Sequence, residues 1–238
     1  MPKRSRRYRA ALDRIEADTL YPAPAAIELL KEIGGAAYDP TVDTVIRLGV
    51  DTRQADQMVR GAVSLPHGIG RTVKVAVVTG GEKAAQARDA GADLVGGEEL
   101  VEELGAGKHL DGLGAVIATP DMMGKLGRYG KVLGPRNLMP NPKSGTVTMD
   151  VAKAVSEIKA GRVEFRADRN GNVHAVIGKL SFTAEQLLDN YAALLDELVR
   201  LRPSSAKGRY LRSAGVSTST SPGVPIDTSA PVRATAEA

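Results

Sequence analysis

The 238-residue chain has no cysteine, so it can form neither disulfides nor thiolate metal sites, and it fits a reducing compartment. Tryptophan is missing as well. With two Phe and six Tyr, aromatics reach only 3%, so any core must be built from Val, Leu, Ile and Ala. No apolar run approaches the roughly 18 residues of a membrane helix, and the basic start lacks the apolar stretch of a signal peptide. A soluble, cytoplasmic protein with no membrane partner is expected. The phosphate-binding G-x-G-x-x-G and the G-x-S-x-G elbow are absent, and His67, His109 and His174 stand far apart without H-E-x-x-H spacing. Dinucleotide binding, serine hydrolysis and a metal site therefore lack their signatures. No catalytic activity, cofactor or metal is expected, and no internal repeat is visible.

One stretch lacks acid altogether. Residues 127–148 hold four glycines, three prolines and the basic residues Arg128, Lys131, Arg136 and Lys143. Pro135, Pro140 and Pro142 argue against a regular helix or central strand. The apolar Val132, Leu133, Leu138 and Met139 argue against disorder. A stiff, basic, surface-docked loop results, with a phosphate-bearing partner on one reading and mere solvation of its charges on the other. A P-loop is excluded, because Pro142 stands where the second glycine must be.

Charge is spread unevenly around a net value of +4. Residues 3–14 carry Lys3, Arg4, Arg6, Arg7, Arg9 and Arg14 against Asp13. Residues 200–212 carry Arg200, Arg202, Lys207, Arg209 and Arg212 with no acid, whereas 82–111 are rich in acid. Cations at both ends and in one inner loop suit a polyanion gripped by chosen surfaces, which favours nucleic acid.

Hydrophobic period orders the chain. An arginine-rich arm precedes a helix over about 24–34, a half-buried strand over 42–50, a short helix near 53–60 and a turn-rich linker at 65–70. From 72 to 160, short apolar strands at 72–78, 92–95 and 115–118 alternate with helices near 82–90, 97–104, 120–125 and 151–160. That pattern implies a parallel sheet covered on both faces. After Gly161, strands at 162–167 and 173–177 flank Asn170-Gly171, a hairpin signal. Thr183 and Gln186 form a capping box for a helix to about Leu201, and a strand follows over 207–216. The reading is α/β and α+β in two domains. A split α+β domain (1–68 and 160–238) is formed by both termini, and a Rossmann-like α/β domain (69–159) is inserted into it. Gly68, Gly70 and Gly161 mark a hinge, and a tail from about 222 to 238 is expected to be mobile.

Within the split domain, Arg166, Arg169, Lys179, Arg209 and Arg212 are candidate phosphate contacts. Tyr38 either stacks on a base or sits half-buried at a helix–strand corner. Ser217 to Ser221 either approach an RNA backbone with small hydroxyls or form a loose polar tail. A competing reading from another class is a small-molecule-binding α/β protein built on the middle unit.

Several strings converge on one family. Gln57-Met-Val-Arg-Gly61, Ser64-Leu-Pro-His-Gly68, Leu133-Gly-Pro-Arg-Asn-Leu-Met-Pro-Asn-Pro-Lys143, Gly145-Thr-Val-Thr148 and Ile177-Gly-Lys-Leu-Ser-Phe182 resemble the bacterial family of large ribosomal subunit protein one. The likeness runs from about residue 2 to 227. It implies the split two-domain fold and a structural role on the mobile stalk near the tRNA exit site. The implied partners are a stalk helix of large-subunit rRNA, tRNA in the exit site and the mRNA of the protein's own operon. Assistance to tRNA release, translational repression and a monomeric state off the ribosome follow from the same likeness. Matched RNA-binding positions are Tyr38, Thr41, Arg166, His174, Lys179, Ser181, Ser217, Thr218, Ser219, Thr220 and Ser221, with Arg169 beside them from the charge reading. Lys131, Arg136 and Lys143 form a supporting basic loop.

The departures are local. Tyr38 replaces the usual Phe, Ala37 a Lys, and Asn137 a Gly. Thr220 and Ser221 stand where the family has Met and Gly, so a divergent copy with weakened rRNA binding is the alternative the resemblance leaves open.

Overall fold

The structure, a computed structural model, describes residues 4–16, 18–230 and 232. The chain forms two compact units. One joins segments 1–70 and 163–238, and the other is 71–162. The fold is mixed α/β, with a parallel sheet in the second unit.

In the first unit, the arginine arm begins with helix α1 (Arg6–Leu12), capped by the Ser5 hydroxyl. Pro22 introduces α2 (Ala23–Ile33), whose Ala26, Ile27, Leu30 and Ile33 recur at helical spacing and are buried. Strand β1 (Thr41–Leu48) buries alternate residues Val42, Thr44, Ile46 and Leu48. The helix expected near 53–60 is a single 3₁₀ turn at Ala55–Gln57, followed by strand β2 (Arg60–Ser64). The reason is a local side-chain clamp. The Asp51 amide donates to Gln57 Oε1 at 2.9 Å, and Gln57 Nε2 donates to Gln54 Oε1 at 2.9 Å, which closes a loop in place of a helix. The stretch at 65–70 is no free linker either. Asn190, fully buried, accepts from the His67 amide at 3.1 Å and donates to the Gly68 carbonyl at 3.0 Å.

The second unit alternates β3 (Lys74–Val78), α3 (Glu82–Asp89), β4 (Leu94–Gly96), α4 (Glu98–Gly105), β5 (Leu113–Ala118) and α5 (Pro120–Leu126). Its three strands are parallel in the order β4-β3-β5. Ala76 and Val78 face one apolar cluster, Val75 and Val77 another. The near-continuous apolar run of β3 follows from burial on both faces. The proline-rich stretch is helical in pieces, contrary to the expected loop: 3₁₀ turns at Gly127–Tyr129 and Gly134–Arg136 flank a one-turn helix α6 (Gly130–Leu133), and a third turn spans Pro142–Ser144. Proline is compatible with such first-turn positions. Leu133 and Leu138 are buried in the unit's core with Val132 and Met139 against them. Val147 then bridges Ala118 in parallel, so the stretch ends docked on β5. Helix α7 (Val151–Lys159), capped by the Asp150 side chain, closes the other face.

Back in the first unit come β6 (Arg162–Arg166), β7 (Asn172–Lys179), α8 (Ala184–Arg200), β8 (Leu211–Thr218) and β9 (Val224–Ile226). The expected hairpin of 162–167 with 173–177 does not form. Asp168–Asn172 do make a tight turn, with Gly171 at φ +79° and one bridge between Ala167 and Val173. Beyond it the strands part, β6 pairing with β2 and β7 with β1. The four-stranded sheet has the order β7-β1-β8-β9 and is antiparallel throughout. Strand β8 starts at Leu211, so Arg209 precedes it. The mobile tail is overturned at 224–226, where β9 pairs with β8 and buries Val224 and Ile226 in the core. Apolar burial plus a ladder outweighs the chain entropy there. Residues 231 and 233–238 lie outside the described residues.

Candidate nucleic-acid interface

Helices α2 and α8 and the inward row of the sheet form one core. Because strand side chains alternate, the other row of the sheet points away from that core. On β1 this outward row is Thr41, Asp43, Val45 and Arg47, half-buried to exposed.

Most of the sequence-derived candidates meet at the end of the sheet where β1 begins. Thr41 pairs with Lys179 on β7, and Val42 pairs with Thr218 on β8. Lys179 Nζ donates to the Asp39 carbonyl and to Thr41 Oγ1, both at 3.2 Å. The Ser181 amide and hydroxyl donate to the Asp39 carboxylate at 3.0 and 2.8 Å. The Ser219 amide donates to the Thr41 carbonyl at 3.1 Å. Tyr38, next to this cluster in the chain, is 57% exposed.

The segment 217–221 is a closed turn and not a loose tail. Ser221 Oγ accepts from the Thr218 amide at 2.9 Å, and Thr218 Oγ1 accepts from the Ser221 amide at 3.1 Å. Thr218 is buried and its hydroxyl is spent inside the turn. Ser219 is exposed, and the Thr220 hydroxyl is buried with no hydrogen-bond partner among the described residues. Ser221 takes no left-handed conformation, whereas Asn137, the other substituted glycine position, sits at φ +56°. Asn is among the residues that accept that region.

The remaining candidates lie elsewhere. Arg166 is on β6, outside the four-stranded sheet, with Nη2 3.5 Å from Met58 Sδ. Arg169 is exposed in the Asp168–Asn172 turn, next to where β1 ends, since Arg47 pairs with Asn172. Arg209 is held locally, donating to the Leu211 carbonyl at 3.0 Å and Thr228 Oγ1 at 2.9 Å. An eight-residue strand spans roughly 25 Å, so Arg169 and Arg212 form a second, separate cationic end. His174 lies between the two ends, opposite Val45, with Nε2 3.7 Å from Asp168 Oδ2. The Asp168 carboxyl is held below its usual range, chiefly by the Asn172 amide. Sequence reasoning missed Asp43, Val45, Arg47 and Ser213, although alternation along β1 and β8 was the available signal.

In the second unit, Lys131 and Arg136 are exposed, with Arg136 Nη1 3.7 Å from Asp111 Oδ1. The Lys143 side chain lies outside the described residues. Of the hinge candidates, Gly68, Gly70 and Gly161 all have positive φ, at 66°, 67° and 108°. Gly70 is also crowded, since a Cβ there would lie 2.7 Å from Lys179 Cγ and 2.9 Å from Phe182 Cε1. The histidines pair separately, His67 with Asp189, His109 with Glu103 and His174 with Asp168. No helix among the described residues is long and apolar enough to cross a membrane.

Fold and surface together define a two-unit α/β chain whose antiparallel sheet turns a hydroxyl- and cation-bearing row outward. A family model described as "Ribosomal protein L1p/L10e family" matches residues 29–222. The protein named "Large ribosomal subunit protein uL1" of Thermobifida fusca is 57% identical over 228 residues, covering 96% of each chain. That of Cutibacterium acnes is 58% identical over 225 residues, 94% of this chain and 96% of its own. That of Streptomyces sp. FRI-5 is 56% identical over 225 residues, 94% and 93% respectively. The chain belongs to the ribosomal protein L1 family.

Proposed function

We propose that this chain is a structural, non-enzymatic protein of the large ribosomal subunit, resident in the cytoplasm, that binds large-subunit rRNA through the outward row of its four-stranded sheet. The observation that carries this reading is the convergence of Tyr38, Thr41, Lys179, Ser181 and the 217–221 turn at one end of that sheet, in a member of the L1 family. Small hydroxyls permit close backbone approach, one lysine supplies charge and an exposed ring supplies a stacking face, which is what a sheet reading RNA requires. Arg169 and Arg212 at the far end extend the grip along the strand direction.

More finely, the proposed RNA is a stalk helix near the tRNA exit site, with the chain assisting tRNA release and, off the ribosome and monomeric, repressing its own operon's mRNA through the same surface. The proposed division of labour gives 1–68 and 160–238 the main RNA contact and 69–159 a supporting one through Lys131, Arg136 and Lys143. Gly68, Gly70 and Gly161 are the proposed pivots between the two. Co-sedimentation tests the core of this reading. The tagged chain is expected to travel with large subunits through a gradient at physiological salt, and recovery solely at the top of the gradient contradicts it.

A further inference from the structure

Residues 67–70 end the first segment of the first unit, yet their contacts tie them to β7. The buried Asn190 on α8 accepts from the His67 amide at 3.1 Å. Its side-chain nitrogen donates to two carbonyls, Gly68 at 3.0 Å and Ile177 at 2.7 Å. One donor therefore joins the two stretches. Two residues beyond it stand Gly70 in the one and Lys179 in the other.

Gly70 and Lys179 meet. Gly70 has φ +67°, and a Cβ built there would lie 2.7 Å from Lys179 Cγ, 2.9 Å from Phe182 Cε1 and 3.1 Å from Phe182 Cζ. The aliphatic stem of the half-buried Lys179 thus lies against the bare backbone of Gly70, with the edge of the Phe182 ring alongside. Phe182 is itself fixed from other directions. Its amide donates to the Lys179 carbonyl at 3.1 Å, its carbonyl accepts from Lys31 Nζ on α2, and a Cβ at Gly178 would come within 2.8 Å of its Cδ2. Beyond the stem, Lys179 Nζ reaches the Asp39 carbonyl and Thr41 Oγ1, both at 3.2 Å.

A lysine stem is long and flexible, and holding it in one pose costs rotamer entropy. A free lysine bears that cost when it grips a phosphate. A stem already seated between backbone and ring bears it on folding, which pre-organises the ammonium group for its ligand. The seat exists only while residue 70 lacks a Cβ. The two hydrogen bonds of Nζ are at the long end of the normal range, so a phosphate oxygen can take their place.

We propose that Gly70 is a positioning residue of the RNA surface, whose bare Cα seats the stem of Lys179 and aims its ammonium group at the hydroxyl end of the sheet. This rests on the rRNA-binding reading above.

Filter binding of the full chain to a large-subunit rRNA transcript, over a range of salt, tests it. Gly70→Ala should weaken binding roughly three- to tenfold, the size of one lost contact. The slope of log K against log salt should fall by up to about one, as it does when a phosphate contact goes. With Lys179→Met already present, Gly70→Ala should change neither quantity further, because the seat then holds no charge. Gly81→Ala, in the second unit, controls for backbone strain. Gly81 has φ +65° and nothing within 4 Å of a built Cβ, so this variant should lose thermal stability and keep affinity and slope. Phe182→Leu removes the ring without touching residue 70, and it should lower the slope in the same non-additive way. An unmoved slope in Gly70→Ala, or in Phe182→Leu where the alanine variant does not fold, overturns the proposal and leaves Gly70 a purely structural glycine. Full additivity with Lys179→Met, or an equal loss in Gly81→Ala, overturns it too. Failure of the wild type to bind the transcript, or of Lys179→Met to move the slope, overturns the rRNA-binding reading instead.

Discussion

Tyr191 lies wholly inside the first unit, and its hydroxyl has no hydrogen-bond partner among the described residues. Tyr210 is nearly as buried but donates to the Leu198 carbonyl at 3.1 Å. Burial pushes both phenols up to about 12. Their folded values exceed the unfolded one, so both hold protons longer when folded. Stability is intact below pH 10 and falls as pH rises from about 10 to about 12, by at most about 1.4 kcal/mol per pH unit for each ring. Urea unfolding at stepped pH should show that decline, and Tyr191→Phe should unfold no more easily than the wild type because it removes an unsatisfied group. At the surface, Thr220→Met with Ser221→Gly should tighten rRNA binding about three- to tenfold, the size of one regained close contact. Equal affinity in a filter assay would show the altered turn to be neutral. The sequence could show which residues depart from the family at 137 and 221, but not what each backbone does there. Asn137 is left-handed and Ser221 is not. At 221 the turn is closed by the reciprocal Thr218–Ser221 hydrogen bonds, which no spacing rule reveals.

Helix α8 was legible end to end because several local signals agree. Its capping box is present, with Thr183 Oγ1 accepting from the Gln186 amide at 3.2 Å and Gln186 Oε1 accepting from the Thr183 amide at 3.0 Å. Thr183→Ala should lower stability by about 1 kcal/mol, read as a shift in the urea midpoint. The apolar strands of the second unit were legible for the same reason, since burial on both faces writes itself as an unbroken apolar run. Strand β9 was not. Val224-Pro-Ile226 is too short for a period to show among Ser, Thr and Pro, and its pairing with β8 is a tertiary fact. Ending the chain after Pro222 should therefore cost several kcal/mol, since it exposes what Val224 and Ile226 cover at roughly 1.5–3 kcal/mol each. The failed hairpin carries the same lesson. The turn at Asn170-Gly171 formed as local chemistry asks, but the partners of β6 and β7 were chosen by the core.

At the scale of the whole chain, two sequence-distant segments build one sheet, and the candidate surface exists only because they do. Thr41 from the first segment meets Lys179 and Ser219 from the second. Composition could point to a polyanion partner, and motifs could point to the family. Neither could show that Arg166 and Arg169 stand apart from the hydroxyl end, because that follows from which sheet each strand joins. The central claim, that the outward row of the four-stranded sheet binds large-subunit rRNA with Lys179 at its hydroxyl end, is tested most directly by the salt dependence of that binding. Log K for an rRNA transcript should fall linearly with log salt in the wild type. Lys179→Met should weaken binding and reduce the slope by about one, the signature of a lost phosphate contact. A slope near zero in the wild type, or one unmoved by Lys179→Met at unchanged affinity, would contradict the account.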